Sequence, residues 1–239
     1  MKPEEITQLY DEGYAAGYDE KFLLSPPAKP ESDHELELLR GFLTAGVTWL
    51  DVACGTGYFL RHFPQVERAG VDLSPAMLRL AREANPGIKL IEGDFREPHA
   101  SWIDRWGLVS CMWYAYGLVD TVPDILRLIE NMAAWAAPNG TCFMPLCDPR
   151  MMTGVNLPCE VSAPVPGRVM ITGVVWSYIE DDGRKVHSHM IAPNVEFMVE
   201  QFERYFEDVS VHRYPTASPE VPGRPALVAR GKRISLRHA

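Results

Sequence analysis

Asp51-Val52-Ala53-Cys54-Gly55-Thr56-Gly57 runs from the end of an apolar segment into a helical pattern, and its reading decides the fold. Trp49 to Ala53 reads as a buried strand, and the glycines behind it let the backbone turn tightly and approach a ligand closely. A strand, a glycine turn and a helix in this order open a βαβ unit. Further along, Ala69-Gly70-Val71, Ile88 to Ile91, Leu108 to Trp113 and Thr141 to Leu146 are short apolar runs separated by helical patterns. Ser74-Pro75 is an N-cap followed by proline at the first helical position, and Met77, Leu78 and Ala81 carry that helix inward. Ile125, Leu128, Ile129, Met132 and Trp135 form the stripe of a longer helix, which Pro138-Asn139-Gly140 is expected to stop. Five strands with helical crossovers imply a parallel, doubly wound α/β sheet covered on both faces.

The chain has 239 residues, 46% hydrophobic and 23% charged, which suits one α/β domain. Its formal net charge of -9 argues against a surface that tracks nucleic acid. No export signal stands near Met1, and no apolar run reaches the ~18 residues of a membrane span. A cytoplasmic protein without membrane contact is expected. The five cysteines, Cys54, Cys111, Cys142, Cys147 and Cys159, form no Cys-x-x-Cys pair and read as reduced core thiols.

Before the first strand, Tyr10, Tyr14 and Tyr18 lie in a polar segment over residues 1–30 that ends in Ser25-Pro26-Pro27-Ala28-Lys29-Pro30, a hinge signal. This predicts a helical flap. Ser32-Asp33-His34-Glu35 has capping-box spacing, with Leu36, Leu39, Phe42 and Leu43 recurring behind it at helical intervals. After the fifth strand the rhythm changes. Val169 to Ile179 and Lys185 to Ile191 flank Asp181-Asp182-Gly183, the signature of an inserted hairpin with a two-residue turn. A last helix carrying Val195, Met198, Phe202 and Phe206 precedes two strands, Val209 to His212 and Ala226 to Ala229.

A dinucleotide site would share the glycine turn, so other residues must separate the ligands. Leu60 occupies the place of the third fingerprint glycine, and no Lys-Ser/Thr pair follows to make a phosphate loop. Asp51 would repel a pyrophosphate and suits the ammonium of a methionine moiety. Asp72 ends the second strand, placed to accept ribose hydroxyls, and Gly93-Asp94-Phe95 ends the third, placed to meet an adenine. Three acids at successive strand ends share one edge of the sheet.

With these residues the chain resembles the class I S-adenosylmethionine-dependent methyltransferases of small-molecule type, firmly over residues 45–145 and by layout elsewhere. The resemblance implies a seven-stranded Rossmann-like sheet with strand 7 antiparallel, and S-adenosyl-L-methionine as cofactor. It also implies that the turn through Ala53, Gly55 and Gly57 holds the methionine part, Asp72 the ribose and Asp94 the adenine. Leu73, Met77 and Phe95 would sandwich the base, with Met112 approaching it. Ala53 replaces a common glycine, Gly107 an acid at the start of the fourth strand, and Asn139-Gly140 a Gly-Gly. On this reading residues 1–239 are one domain: a flap over 1–30, a cofactor core over 45–145, an acceptor-capping insertion over 150–192, and the last helix and strands over 193–239.

Met112-Trp113-Tyr114-Ala115-Tyr116-Gly117 is not the Asn/Asp-Pro-Pro-aromatic sequence of amino-methylases that act on DNA bases and protein glutamine, so a small molecule is expected, with Trp113 and Tyr116 against it. If Asp182-Gly183 is the turn, Tyr178 faces His187 and Trp176 faces His189 on one side of the hairpin. That wall would cap an acceptor and take its proton. Tyr14 and Tyr18 of the flap would reach the acceptor or the cofactor's methionine carboxylate. His187-x-His189 lacks a third ligand at useful spacing, so no metal is expected. The expected reaction is methyl transfer to nitrogen or oxygen. The alternatives are a non-catalytic S-adenosylmethionine-binding sensor or partner subunit and a nicotinamide-dependent dehydrogenase. A homodimer is left open.

Overall fold

The computed structural model describes residues 1–151, 160–162, 168–170, 172–180, 186–216 and 223–233. Cys159 and the Asp182-Gly183 turn lie outside them. Seven strands form one sheet: β1 (Trp49–Val52), β2 (Arg68–Asp72), β3 (Lys89–Glu92), β4 (Trp106–Cys111), β5 (Ala136–Pro145), β10 (Phe206–Arg213) and β11 (Pro225–Lys232). Their order is β10-β11-β5-β4-β1-β2-β3. β1 to β5 pair in parallel, and β11 runs antiparallel to both β5 and β10. The expected Rossmann-like sheet with its last strand reversed is present. All four β1 residues are buried, because a strand covered by helices on both faces has no solvent side.

Between the strands lie α4 (Tyr58–Arg61), α5 (Pro75–Ala84), α6 (Val122–Trp135) and, before β10, α7 (Val195–Glu203). Ser74 caps α5 as expected, its hydroxyl accepting from the Met77 N–H at 3.2 Å. Ile125, Leu128, Ile129, Met132 and Trp135 all face one core with Leu50, Val109 and Phe202. Phe206 belongs to that core from β10 and not from α7. Pro138-Asn139-Gly140 sits within β5, where the register against β4 breaks between Trp106 and Leu108. α6 therefore ends three residues before the proline. The carbonyl of Trp106 lies 2.7 Å from where a Cβ on Gly140 would sit, so this crossing requires glycine.

The N-terminal segment forms α1 (Pro3–Leu9), α2 (Glu12–Ala16) and a π-helical turn, Asp19–Leu23. α3 (Lys29–Phe42) starts within the proline run, with Pro30 in its first turn. The capping-box reading is thereby overturned: Ser32 and Glu35 are interior positions of α3 and fully buried.

The insertion divides where one strand was expected. β6 (Glu160–Ser162) pairs with β7 (Arg168–Met170), and β8 (Gly173–Ile179) pairs with β9 (Val186–Pro193). Tyr178 faces His187 as predicted. The register then shifts, and Trp176 pairs with Met190. His189 is the bulged residue, with a left-handed φ of 57° and an exposed side chain.

Candidate functional site

One cavity opens at the carboxyl ends of the parallel strands, on the edge where α/β sheets place ligands. β1 delivers Asp51, 1% exposed, whose Oδ1 accepts from the Ser110 hydroxyl at 2.6 Å. Ser110 in turn accepts from the Trp49 indole at 2.9 Å. Burial pushes Asp51 up to about 7, with the Ser110 hydrogen bond opposing and Asp72 and Glu35 adding to the rise. The turn beyond it passes through left-handed Ala53 and Gly55, both at φ 55°. Nothing lies within 4 Å of a Cβ placed on Gly55, so the turn leaves open space.

Asp72 ends β2 with one oxygen accepting from the Gly55 N–H at 2.8 Å and the other from the Ser74 N–H at 2.8 Å. It ties the glycine turn to the head of α5. Burial raises its pKa, against the hydrogen bonds of the Ser74, Gly55 and Leu73 amides. Leu73, Met77, Phe95, Met112 and Trp113 add apolar surface to the cavity lining. Asp94 lines the cavity but is engaged by Arg96, whose Nε donates to Oδ1 at 2.9 Å and to Oδ2 at 3.0 Å.

The flap covers this cavity with Ile6, Tyr10 and Tyr18. Three ties hold it. The Ser74 hydroxyl donates to the Tyr10 carbonyl at 2.8 Å, the Thr56 hydroxyl to Asp19 at 2.5 Å, and the Arg79 guanidinium to Glu12 at 2.6 Å. Behind Tyr10 and Tyr18 stands a second aromatic layer. Tyr14 packs on both, at ring distances of 5.5 and 6.4 Å. Its hydroxyl lies 2.8 Å from His187 Nε2 and 2.7 Å from Glu180 Oε1. Glu180 also pairs with Lys21 at 2.5 Å. Burial works against the Glu180 carboxylate, but Lys21 and Tyr14 more than offset it and hold its pKa below the usual value.

A family model described as a methyltransferase domain matches residues 50–140. The chain is 31% identical over 189 residues, 71% of each chain, to a dTDP-3-amino-3,6-dideoxy-alpha-D-glucopyranose N,N-dimethyltransferase of Streptomyces fradiae. A trans-aconitate 2-methyltransferase of Paracidovorax citrulli (strain AAC00-1) is 31% identical over 139 residues, 56% of this chain and 52% of its own. An S-adenosylmethionine-bound amino pentose methyltransferase from Micromonospora echinaspora shares the fold, with a TM-score of 0.59, 23% identity, and coverage of 84% of this chain and 90% of that one. The chain belongs to the class I S-adenosylmethionine-dependent methyltransferases.

In this methyltransferase Tyr18, Asp51, Ala53, Gly55, Asp72, Leu73, Met77, Asp94, Phe95 and Met112 line the cavity, together with Trp113 from the acceptor set. Gly57 does not. It takes a left-handed φ of 70°, and a Cβ there would lie 2.5 Å from Asn85 Nδ2 and 3.2 Å from Ala81, so it is a packing glycine. Tyr116 is also corrected: it is 1% exposed in the core, and its hydroxyl accepts from the Cys147 N–H at 2.7 Å. Trp176 packs in a separate cluster with Met1, Leu9, Leu118 and Met190. Of the four-residue wall expected on the hairpin, Tyr178 and His187 share a face at a ring distance of 5.4 Å. His189 leaves it because of the bulge.

Sequence reading missed Tyr10, Glu180 and Lys21. Tyr10 follows the same i, i+4 spacing as Tyr14 and Tyr18, and that signal was sufficient to include it. Glu180 stands just before the expected Asp182-Gly183 turn and reads as a loop acid. Among the described residues no three His, Cys, Asp or Glu side chains come together in a way that could hold a metal ion, and no helix is long and apolar enough to cross a membrane.

Proposed function

We propose that the chain transfers a methyl group from S-adenosylmethionine to a nitrogen of a small molecule whose amine arrives protonated. The observation that carries this reading is the chain of contacts from Tyr14 to His187 and Glu180. An ammonium has no lone pair, so a base must remove its proton before attack, whereas a carboxylate oxygen needs none. Tyr14 is the junction: its single proton is donated to His187 Nε2 or to Glu180, and in the second case His187 donates to the Tyr14 oxygen. A proton taken by His187 is then balanced by Glu180, 3.8 Å away.

The residues present fit the cofactor. Open space stands over Gly55, Asp51 in its ionised form suits the methionine ammonium, Asp72 retains acceptor capacity for ribose, and Leu73, Met77 and Phe95 offer faces for a base. When bound, the cofactor supplies a methyl group on a positive sulfur, ready for in-line displacement. The protein's share is alignment and exclusion of water. Trp113 and the flap tyrosines supply walls for both.

The trans-aconitate relatives favour a carboxylate oxygen instead. Asp51, Asp72 and Glu180 weigh against an anionic acceptor here. The test is release of S-adenosylhomocysteine with dTDP-linked 3-amino and 4-amino deoxysugars and with trans-aconitate as acceptors. We expect methylation of an aminosugar and a loss of kcat of about 10²–10⁴-fold in His187→Ala. Turnover of trans-aconitate alone, unchanged in that variant, would sink the reading.

The flap over 1–30 and the insertion over 150–192 are proposed as the acceptor-facing parts of one catalytic domain acting in the cytoplasm without nucleic acid. Val175, Ile179 and Val186, exposed on the hairpin, are where a second copy would pack. Light scattering on Ile179→Glu tests it, a monomeric variant of a dimeric parent being the expected result.

A further inference from the structure

We propose that the seam between flap and hairpin is a recognition site for an alkylammonium ion, with the Lys21 ammonium holding the place that the acceptor's nitrogen takes on arrival. The inference rests on the amine reading above and names the charged form in which that amine is captured.

The seam has the composition of a cation site. Lys21 Nζ stands 5.6 Å from the centroid of the Tyr14 ring and 5.3 Å from that of Phe22. It also makes its ion pair with Glu180 there. Phe22 contacts Tyr178 across the seam at a ring distance of 6.2 Å and His187 at 6.3 Å. Two aromatic faces and a carboxylate thus converge on one positive nitrogen. Aromatic faces attract cations within about 6 Å of the ring, most of all the poorly hydrated methylated ones.

The two members of the ion pair differ in burial. Glu180 is 8% exposed, whereas Lys21 is 40% exposed. The carboxylate is sunk between Tyr14 and the hairpin and needs a positive partner. The lysine head is partly in water and loses little by swinging out into it. An incoming ammonium would conserve the charge balance at Glu180 and meet the same two rings. It would also meet the Tyr14 ring, whose hydroxyl touches His187. A first methylation leaves a nitrogen that these rings hold better than before.

The probe is tetramethylammonium chloride, titrated at constant ionic strength into the S-adenosylhomocysteine complex and followed by ligand-observed NMR, with tert-butanol as the neutral isostere. We expect the wild type to bind the cation and not the alcohol. Lys21→Met, which removes the competing ammonium, should bind it about tenfold more tightly. Lys21→Met/Glu180→Gln should lose that gain, and so should Lys21→Met/Phe22→Leu, which leaves the carboxylate in place if the former variant misfolds. Equal binding of cation and alcohol would overturn the inference. So would Lys21→Met binding the cation no better than wild type while its affinity for S-adenosylhomocysteine falls, since the ion pair is then only a latch on the flap. Because nothing is transferred to the probe, failure here leaves the methylation assay standing, and failure of that assay leaves this binding result standing.

Discussion

Asp51 illustrates how a single residue trades stability for function. Its carboxyl is buried among apolar strands with one hydroxyl donor and titrates at about 7, well above an unfolded-chain aspartate. The sign follows from linkage. The folded state holds the proton more tightly, so stability is full at low pH and is lost as pH rises from the unfolded value of ~3.9 through about 7. Asp51→Asn should therefore melt near the wild type at pH 4.5 and above it at pH 8, by a few kcal/mol at most. Cofactor affinity should run the other way. In the wild type it should strengthen as pH rises through 7, as the carboxylate forms to meet the methionine ammonium, and in Asp51→Asn it should be weaker and flat. Calorimetric titration with S-adenosylhomocysteine at several pH values measures both slopes. A parallel contrast holds on the hairpin, where His187→Ala should lose turnover and His189→Ala, at an exposed bulge, should not; a loss in both variants would move the base away from the seam.

At the scale of elements, the glycine turn divides into two jobs. Gly55 and Gly57 are both left-handed, at φ 55° and 70°, so an alanine at either costs about 1–2 kcal/mol of backbone strain. A Cβ on Gly57 would also press on Asn85 and Ala81, whereas one on Gly55 meets open space. Gly57→Ala should lower the melting temperature more, and Gly55→Ala should lose more cofactor affinity; thermal melts and calorimetry on the pair check this. Much of this turn was legible in advance, because strand, glycine and helix signals are local. The sheet was legible for the same reason, since Leu50, Val109 and Phe143 belong to apolar runs that can only be buried. What escaped was decided by a competing local signal, by a bulge or by a neighbour distant in sequence. Ser32 and Glu35 have the spacing of a cap yet lie inside α3, because Pro30 already starts the helix. Tyr116 has the composition of a binding residue, but its hydroxyl is taken by the Cys147 amide. Strand alternation predicts His189 on the His187 face, and one bulge reverses its side.

Across the whole molecule, one buried cation ties the helical layer to the sheet and to the cavity wall. Arg224, at the entry to β11, has no exposed side-chain surface. It donates to Glu31 of α3 at 3.0 Å and stands 3.2 Å from Glu35, which also accepts from the Tyr214 hydroxyl at 3.0 Å. Its guanidinium lies 4.0 Å from the Tyr114 ring and 4.9 Å from that of Trp113. Both residues are left-handed, at φ 59° and 50°, a conformation that persists only where surroundings over-determine it. Trp113 is also the cavity wall, so the arginine supports the site through the turn it holds. Burial pushes Glu35 up to about 7, with the Arg224 charge and the Tyr214 hydrogen bond opposing. Arg224→Met removes that opposition, leaves Glu35 buried without its partner, and should cost about 3–5 kcal/mol. At this chain length the loss amounts to roughly 6–20 °C in melting temperature. Because the variant raises the folded-state pKa of Glu35 further, the deficit should grow from pH 5, where protonation relieves the charge, to pH 8, where it does not. Adding Glu35→Gln should recover much of the stability and flatten the pH dependence, yet it should not restore cofactor affinity, because the cation over Trp113 and Tyr114 is still missing. If affinity returns together with stability in the double variant, Arg224 supports the fold alone, and the posture of Trp113 is set by the rest of the turn.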